Sequence, residues 1–174
     1  ADAKGLLKSA FADQNPVIFL EHKKLYRSCS GPVPKANYAI PLGKASIARA
    51  GCDLSIVTYS LGVHWALAAA EKFAQLGYEI EVVDLRTLLP WDQETVFQSV
   101  RGTSRALVLH EASLTGGFGA EVAASIGSAC FEWLDAPVRR VASLDTPIPF
   151  GAQLEKQYLA TNRLDEEIHA LLQY

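Results

Sequence analysis

The sequence predicts a three-layer α/β/α domain built on a mainly parallel sheet. From Leu54 onward, apolar strand-like runs alternate with stretches of helical periodicity. Four such runs are separated by three connections long enough for crossover helices, which parallel neighbours require and hairpin neighbours do not. A third observation concerns the front of the chain, where an apolar run has no neighbouring strand in sequence to pair with.

Taken in order, Ala3, Leu6, Leu7, Ala10 and Phe11 form a helical stripe, and Val17 to Leu20 read as a strand. Such a strand needs cover on both faces and hydrogen-bonded neighbours, and one helix supplies neither. Residues 1–20 are therefore expected to be the last helix and strand of a domain whose remainder is absent, and the lack of any methionine agrees with this. Residues 21–45, with Gly31, Pro32, Pro34, Pro41 and Gly43, read as a linker, and residues 46–174 as the main domain.

Within it the expected strands are Leu54–Tyr59, Glu79–Leu85, Ala106–His110 and Val138–Ala142. The first crossover carries Val63, Ala66, Leu67, Ala70, Phe73 and Ala74 at helical spacing, opened by Gly62, with Gly77 suited to a left-handed C-terminal cap. The second follows Pro90-Trp91, with Asp92 as N-cap and Val96, Phe97 and Val100 as its apolar edge. The third puts Val122, Ile126, Ala129 and Cys130 on one stripe among small residues. A last helix begins near Asn162, with Asp165 completing a cap-like pair, and turns Leu164, Ile168, Leu171 and Leu172 inward.

Composition excludes several function classes. A net charge of -3 offers no basic field for nucleic acid, and no apolar stretch approaches the roughly 20 residues of a membrane span. Cys29, Cys52 and Cys130 are odd in number and lack CxxC spacing, which suits free thiols in a reducing compartment. His22, His64, His110 and His169 have no metal-binding spacing, and Ser60-Leu-Gly-Val-His64 lacks the leading glycine of a hydrolase elbow.

His110-Glu111 ends the third strand, at the edge where parallel sheets bind ligands, and Gly116, Gly117 and Gly119 open the next helix. Two readings stay open. One is an anion cradle beside an acid/base pair, in a free-standing nucleotide-binding module. The other is a tight turn whose glycines admit a close helix, with His110 and Glu111 hydrogen-bonded at an interface. The glycines run GGxG rather than GxGxxG. Arg86 is a further interface candidate, able to meet a carboxylate across a subunit boundary or Asp84 within the chain. Glu21-His-Lys-Lys-Leu-Tyr-Arg27 reads as a solvated basic loop.

Motifs in consistent order span the chain: Asp2-Ala-Lys-Gly-Leu-Leu, Asn15-Pro-Val-Ile-Phe-Leu-Glu-His-Lys, Ile40-Pro-Leu-Gly-Lys-Ala, Glu81-Val-Val-Asp-Leu-Arg-Thr-Leu-Leu-Pro-Trp, Val108-Leu-His-Glu-Ala-Ser-Leu-Thr-Gly-Gly-Phe-Gly-Ala-Glu, Leu134-Asp-Ala-Pro-Val-Arg-Arg-Val and Asp145-Thr-Pro-Ile-Pro-Phe. Together they resemble the C-terminal half of the beta chain of the decarboxylating, thiamine-diphosphate-dependent component of 2-oxo acid dehydrogenases. The resemblance implies a domain like the last one of transketolase, preceded by the end of a pyrimidine-binding domain. It implies that thiamine diphosphate and magnesium belong to the full enzyme and are not bound by these residues, that catalytic residues lie elsewhere, and that this piece alone is inactive. Pro90-Trp91 and the Leu-Thr-Gly-Gly-Phe run resemble the branched-chain (2-oxoisovalerate) enzyme more than the pyruvate enzyme.

Carried over residue by residue, Ala10, Asp13 and Asn15 match positions that hold a structural potassium ion in relatives, partly through backbone carbonyls. Asp135 matches a carboxylate position that docks the acyltransferase, with Asp where many relatives carry Glu, and Tyr174 matches a terminal carboxylate similarly placed. The implied partners are an alpha chain or fused alpha part, a second beta chain and the dihydrolipoyl acyltransferase core. The implied location is the bacterial cytoplasm or the mitochondrial matrix.

Overall fold

The computed structural model describes residues 1–174. In chain order the elements are α1 (Asp2–Ala12), α2 (Leu25–Ser28), β1 (Ser46–Arg49), β2 (Leu54–Thr58), α3 (Leu61–Ala74), β3 (Ile80–Asp84), α4 (Gln93–Thr103), β4 (Ala106–Ser113) and α5 (Gly119–Ala129), then a 3-10 turn at Phe131–Trp133, β5 (Arg139–Ser143), α6 (Ala152–Tyr158) and α7 (Thr161–Leu172). The five strands lie in the order β1-β3-β2-β4-β5. All neighbours are parallel except β1, which runs antiparallel to β3.

The side-chain period of two divides β2 and β4 between two cores. Ile56, Leu107 and Leu109 join a cluster with Ala66, Ala70 and Phe73 of α3 and Leu164, Ile168 and Leu171 of α7. Val57, Ala106 and Val108 face the other way, onto Val96 and Val100 of α4 and Val122 and Ile126 of α5. With helices on both faces, every residue of β2 is buried, the polar Ser55 and Thr58 included. This confirms the three-layer expectation and all three crossovers.

The details differ from the sequence expectation in four places. A fifth strand, β1, forms an antiparallel edge that the pattern does not reveal, because Ser46-Ile-Ala-Arg is short and partly exposed on both faces. To reach β2 from β1 the chain passes beneath the start of β3, where a Cβ on Gly51 would lie 2.3 Å from the backbone of Ile80 and Glu81. Only glycine fits that crossing. Val17 to Leu20 form no strand: they make no ladder, and Ile18 and Leu20 are more than four-fifths exposed. The Asn162 and Asp165 cap is not made either, since α7 has no side-chain cap, Asn162 reaches the Lys156 carbonyl and Asp165 pairs with Lys72. Finally, α6 is a short, largely exposed helix that no periodicity announces.

The other caps hold. Gly77 takes a positive φ of 89° after α3. Asp92 caps α4, accepting from the Thr95 backbone at 3.3 Å and the Thr95 hydroxyl at 2.7 Å. It also accepts from the Ala45 N–H at 3.1 Å, which joins the cap to the segment entering β1. No helix is long and apolar enough to cross a membrane.

Candidate functional site

The strand order reverses between β2 and β4, so their carboxyl ends make the crevice where open α/β sheets hold ligands. β2 leads into Tyr59 there, β4 delivers His110 and Glu111, and α5 begins at Gly119. The His110 ring is fully buried and stacks on Tyr59, with centroids 6.5 Å apart and planes 8° from parallel. A Cβ on Gly117 would sit 2.5 Å from this ring, and one on Gly119 only 2.2 Å. The glycines are therefore required by the imidazole, which occupies the space a phosphate would need. Of the two sequence readings, the geometry supports the close-packed turn.

Neither ring nitrogen of His110 has a hydrogen-bond partner. Burial pushes its pKa below the ordinary histidine value, against a weaker pull from the Ala112 backbone, so the ring is neutral near pH 7. Glu111 points the other way, to the surface, where one oxygen lies 2.6 Å from His22 Nε2. Adjacent in sequence, the two residues face different environments and do not form an acid/base pair. The His22 contact lays the front segment across the carboxyl rim of the sheet. Burial, helped by the Glu111 charge, also pushes the Tyr59 phenol above its usual range.

A second tie lies beside it. Cys29 Sγ is 3.1 Å from His64 Nε2. All three cysteines are free, Cys29 and Cys52 exposed and Cys130 buried.

Arg86 adopts a positive φ of 56°, which sends its side chain back over the entry to β1. Its Nε and Nη2 donate to the carbonyls of Lys44 and Ala45 at 3.1 and 2.8 Å, and Nη1 lies 3.7 Å from Asp2. Asp84 accepts the Arg86 backbone N–H instead, at 3.0 Å. Burial raises the Asp84 pKa, and the Arg86 backbone and guanidinium counter it in part. The guanidinium thus pins the front segment to the sheet.

Asp135 and Tyr174 fall at the opposite rim. Arg163, early in α7, reaches the carbonyl of Ala142 near the end of β5, while Glu167, one turn on, lies 3.7 Å from Arg139 at its start. α7 therefore runs antiparallel to β5, and its C-terminus at Tyr174 comes to the amino-terminal rim, where Asp135 precedes β5. Asp135 is exposed, its carboxylate makes no bond, and its N–H donates to the Ser104 carbonyl at 2.9 Å. Tyr174 is also exposed.

At the end of α1, Asp13 Oδ1 accepts from the Asn15 N–H at 2.8 Å and from Nδ2 at 3.1 Å. The Ala10 carbonyl receives no hydrogen bond, being in the last helical turn. A free carbonyl and the second Asp13 oxygen are hard donors that suit an alkali cation, but on their own they are too few to enclose one.

Comparison with known proteins places this arrangement. The model of "Transketolase, C-terminal domain" matches residues 43–163. The chain is 43% identical over 159 residues to "2-oxoisovalerate dehydrogenase subunit beta" of Bacillus subtilis (strain 168), covering 91% of the chain and 49% of that protein. It is 49% identical over 162 residues to "Pyruvate dehydrogenase E1 component subunit beta" of the same organism, covering 93% and 50%. Among solved structures, "Split gene transketolase, inactive beta4 tetramer" superposes with a TM-score of 0.66 at 26% identity, covering 84% of this chain and 47% of that one. The chain spans about half the length of the curated relatives it matches.

Proposed function

The chain belongs to the family of the transketolase C-terminal domain, and on that premise we propose that it is the assembly and docking domain of a 2-oxo acid dehydrogenase beta chain. One observation carries the reading: similarity to two such beta chains runs through more than nine-tenths of the sequence. The whole enzyme would decarboxylate a 2-oxo acid oxidatively and pass the acyl group to a lipoyl arm, working with an alpha chain or fused alpha part, a second beta chain and a dihydrolipoyl acyltransferase core.

Thiamine diphosphate, held with magnesium, supplies the carbanion chemistry of such enzymes. The residues here do not fit it, because the one glycine-rich turn at the sheet's carboxyl rim is filled by His110. In this reading residues 1–20 complete a pyrimidine-binding domain, residues 21–45 are the linker, and residues 46–174 present the docking surface. Incubated with thiamine diphosphate, magnesium, 2-oxoisovalerate and an electron acceptor, the chain should show no turnover; measurable turnover would overturn the assignment.

Docking is assigned to Asp135 and the Tyr174 carboxylate, both exposed at the amino rim, where they can meet basic groups of the acyltransferase. In the assembled enzyme Asp135→Ala should weaken acyltransferase binding by about tenfold, the effect of losing one charge-assisted contact. Unchanged binding would leave a purely structural domain. Pro90-Trp91 and the Leu114 to Phe118 run support a branched-chain acid as substrate, and a higher kcat/KM for pyruvate than for 2-oxoisovalerate in the whole enzyme would refute that. A potassium ion at Ala10, Asp13 and Asn15 would need further ligands from outside the chain; no gain in melting temperature of the whole enzyme in potassium over sodium would remove it.

A further inference from the structure

We propose that the cleft at the carboxyl end of β5 binds a small oxyanion, the carboxylate or phosphate of a molecule of few heavy atoms, between Arg140 and Arg163. The cleft measures about 280 Å³, at the small end for ligand sites, which sets the size of its occupant. It is distinct from the docking surface, which lies at the other rim of the sheet.

Two guanidiniums line it, beside the carboxylates of Asp145 and Glu167. Arg140, on β5, donates through Nη1 to the Leu114 carbonyl at 2.9 Å, and Arg163, in the first turn of α7, donates through Nη2 to the carbonyls of Ala142 and Tyr158. These neutral carbonyls orient the two forks and leave their charge in place. Neither arginine lies within ion-pair distance of a carboxylate, although, with the hydrogen bonds from Thr115, the Arg140 charge helps to hold the Asp145 pKa down.

The two carboxylates in the wall have other nearest partners. Asp145 accepts from the Thr115 N–H at 2.9 Å and the Thr115 hydroxyl at 2.7 Å, and Glu167 lies 3.7 Å from Arg139. Between these groups, the Ser143 hydroxyl is 1% exposed and has no hydrogen-bond partner. A buried hydroxyl without a partner has lost its bonds to water and gained none in return. An oxyanion seated on the guanidinium forks can accept from their remaining N–H groups and from this hydroxyl.

The test uses sodium phosphate and sodium acetate as probes of the intact chain at constant ionic strength, followed by calorimetry and by NMR of the arginine side-chain N–H groups. Saturable binding is expected, with shifts at Arg140 and Arg163. Arg140→Gln and Arg163→Gln should each weaken it by about tenfold or more. Tighter phosphate binding identifies a phosphate ester as the occupant, and acetate binding as tight or tighter identifies a carboxylate. A non-saturating response to both probes, or unchanged affinity in the arginine variants, would overturn the proposal. Arg163→Gln also removes contacts within the fold, so Ser143→Ala, with its melting temperature measured, is the control. Weaker binding by a folded Ser143→Ala protein supports the site, and unchanged binding together with an unaffected Arg140→Gln protein refutes it.

Discussion

The first 45 residues and the remaining 129 are held by different physics. Of the 41 buried residues, only Gly5 and Leu6 precede Leu54. The sheet domain is fixed by two apolar clusters whose members bury one another, so its stability is shared among many contacts. The front segment is held by separate polar ties: within itself, Ile40 N–H to the Gly5 carbonyl and Ser9 to the Ile40 carbonyl; to the sheet domain, His22 to Glu111, and Arg86, which donates to the Lys44 and Ala45 carbonyls. Its large apolar side chains, Phe11, Ile18 and Leu20, point into solvent. Ties of this kind place a chain accurately while contributing little to global stability, because exposed ion pairs give roughly 0–1 kcal/mol each.

The sharpest test of that difference sets two isoleucines side by side. Ile56→Ala, at the centre of the larger cluster, should cost about 2–5 kcal/mol in urea unfolding, and Ile18→Ala no more than about 0.5 kcal/mol. Equal costs would erase the distinction. Next in size, Gly119→Ala forces a methyl group onto the His110 ring and should cost about 1–3 kcal/mol, with the disturbance visible in the near-ultraviolet signal of Tyr59.

Asp92 belongs to both regions. Burial opposes its charge, yet hydrogen bonds from Thr95 and Ala45 and the nearby Lys44 hold its pKa below the usual carboxylate range. Asp92→Ala should cost about 1–2 kcal/mol as a lost cap, and it should also speed amide exchange at Ala45. A loss of stability without faster exchange at Ala45 would show that the entry tie is independent of the cap.

The smallest effect is one of pH. His110 has a lowered pKa when folded, so the unfolded chain takes up its proton first as pH falls. Stability should decline from about pH 6.5 until the folded pKa is passed, then level off. His110→Phe should flatten that slope in urea midpoints measured between about pH 5 and 8. An unchanged slope would move its origin to another group.

The two regions also differed in how far they could be read from sequence. β2, β3, β4, β5 and the helices between them were legible because cover on both faces demands continuous apolar runs and full-length stripes. β1 was not, since a four-residue edge strand partly exposed on both faces has no distinctive pattern. At the candidate sites the sequence sets His110 close to the glycines, but only distances show that the glycines serve the imidazole. The reach of Arg86 to the Lys44 and Ala45 carbonyls depends on a left-handed backbone turn at a non-glycine residue, which composition does not announce. The pairing of Arg140 with Arg163 joins residues brought together only by the packing of α7 on β5.

The reversed direction of β1 decides where the front of the chain can go. Ser46 pairs with Asp84 at the carboxyl rim, so a polypeptide arriving from residue 45 is delivered to the rim that carries Glu111 and His64. A parallel first strand would have delivered it to the far rim, roughly 17 Å away for a strand of five residues. Strand polarity acts here as an address: whatever is attached upstream of β1 is handed to the crevice side, and the amino rim with Asp135 and Tyr174 stays open to other molecules.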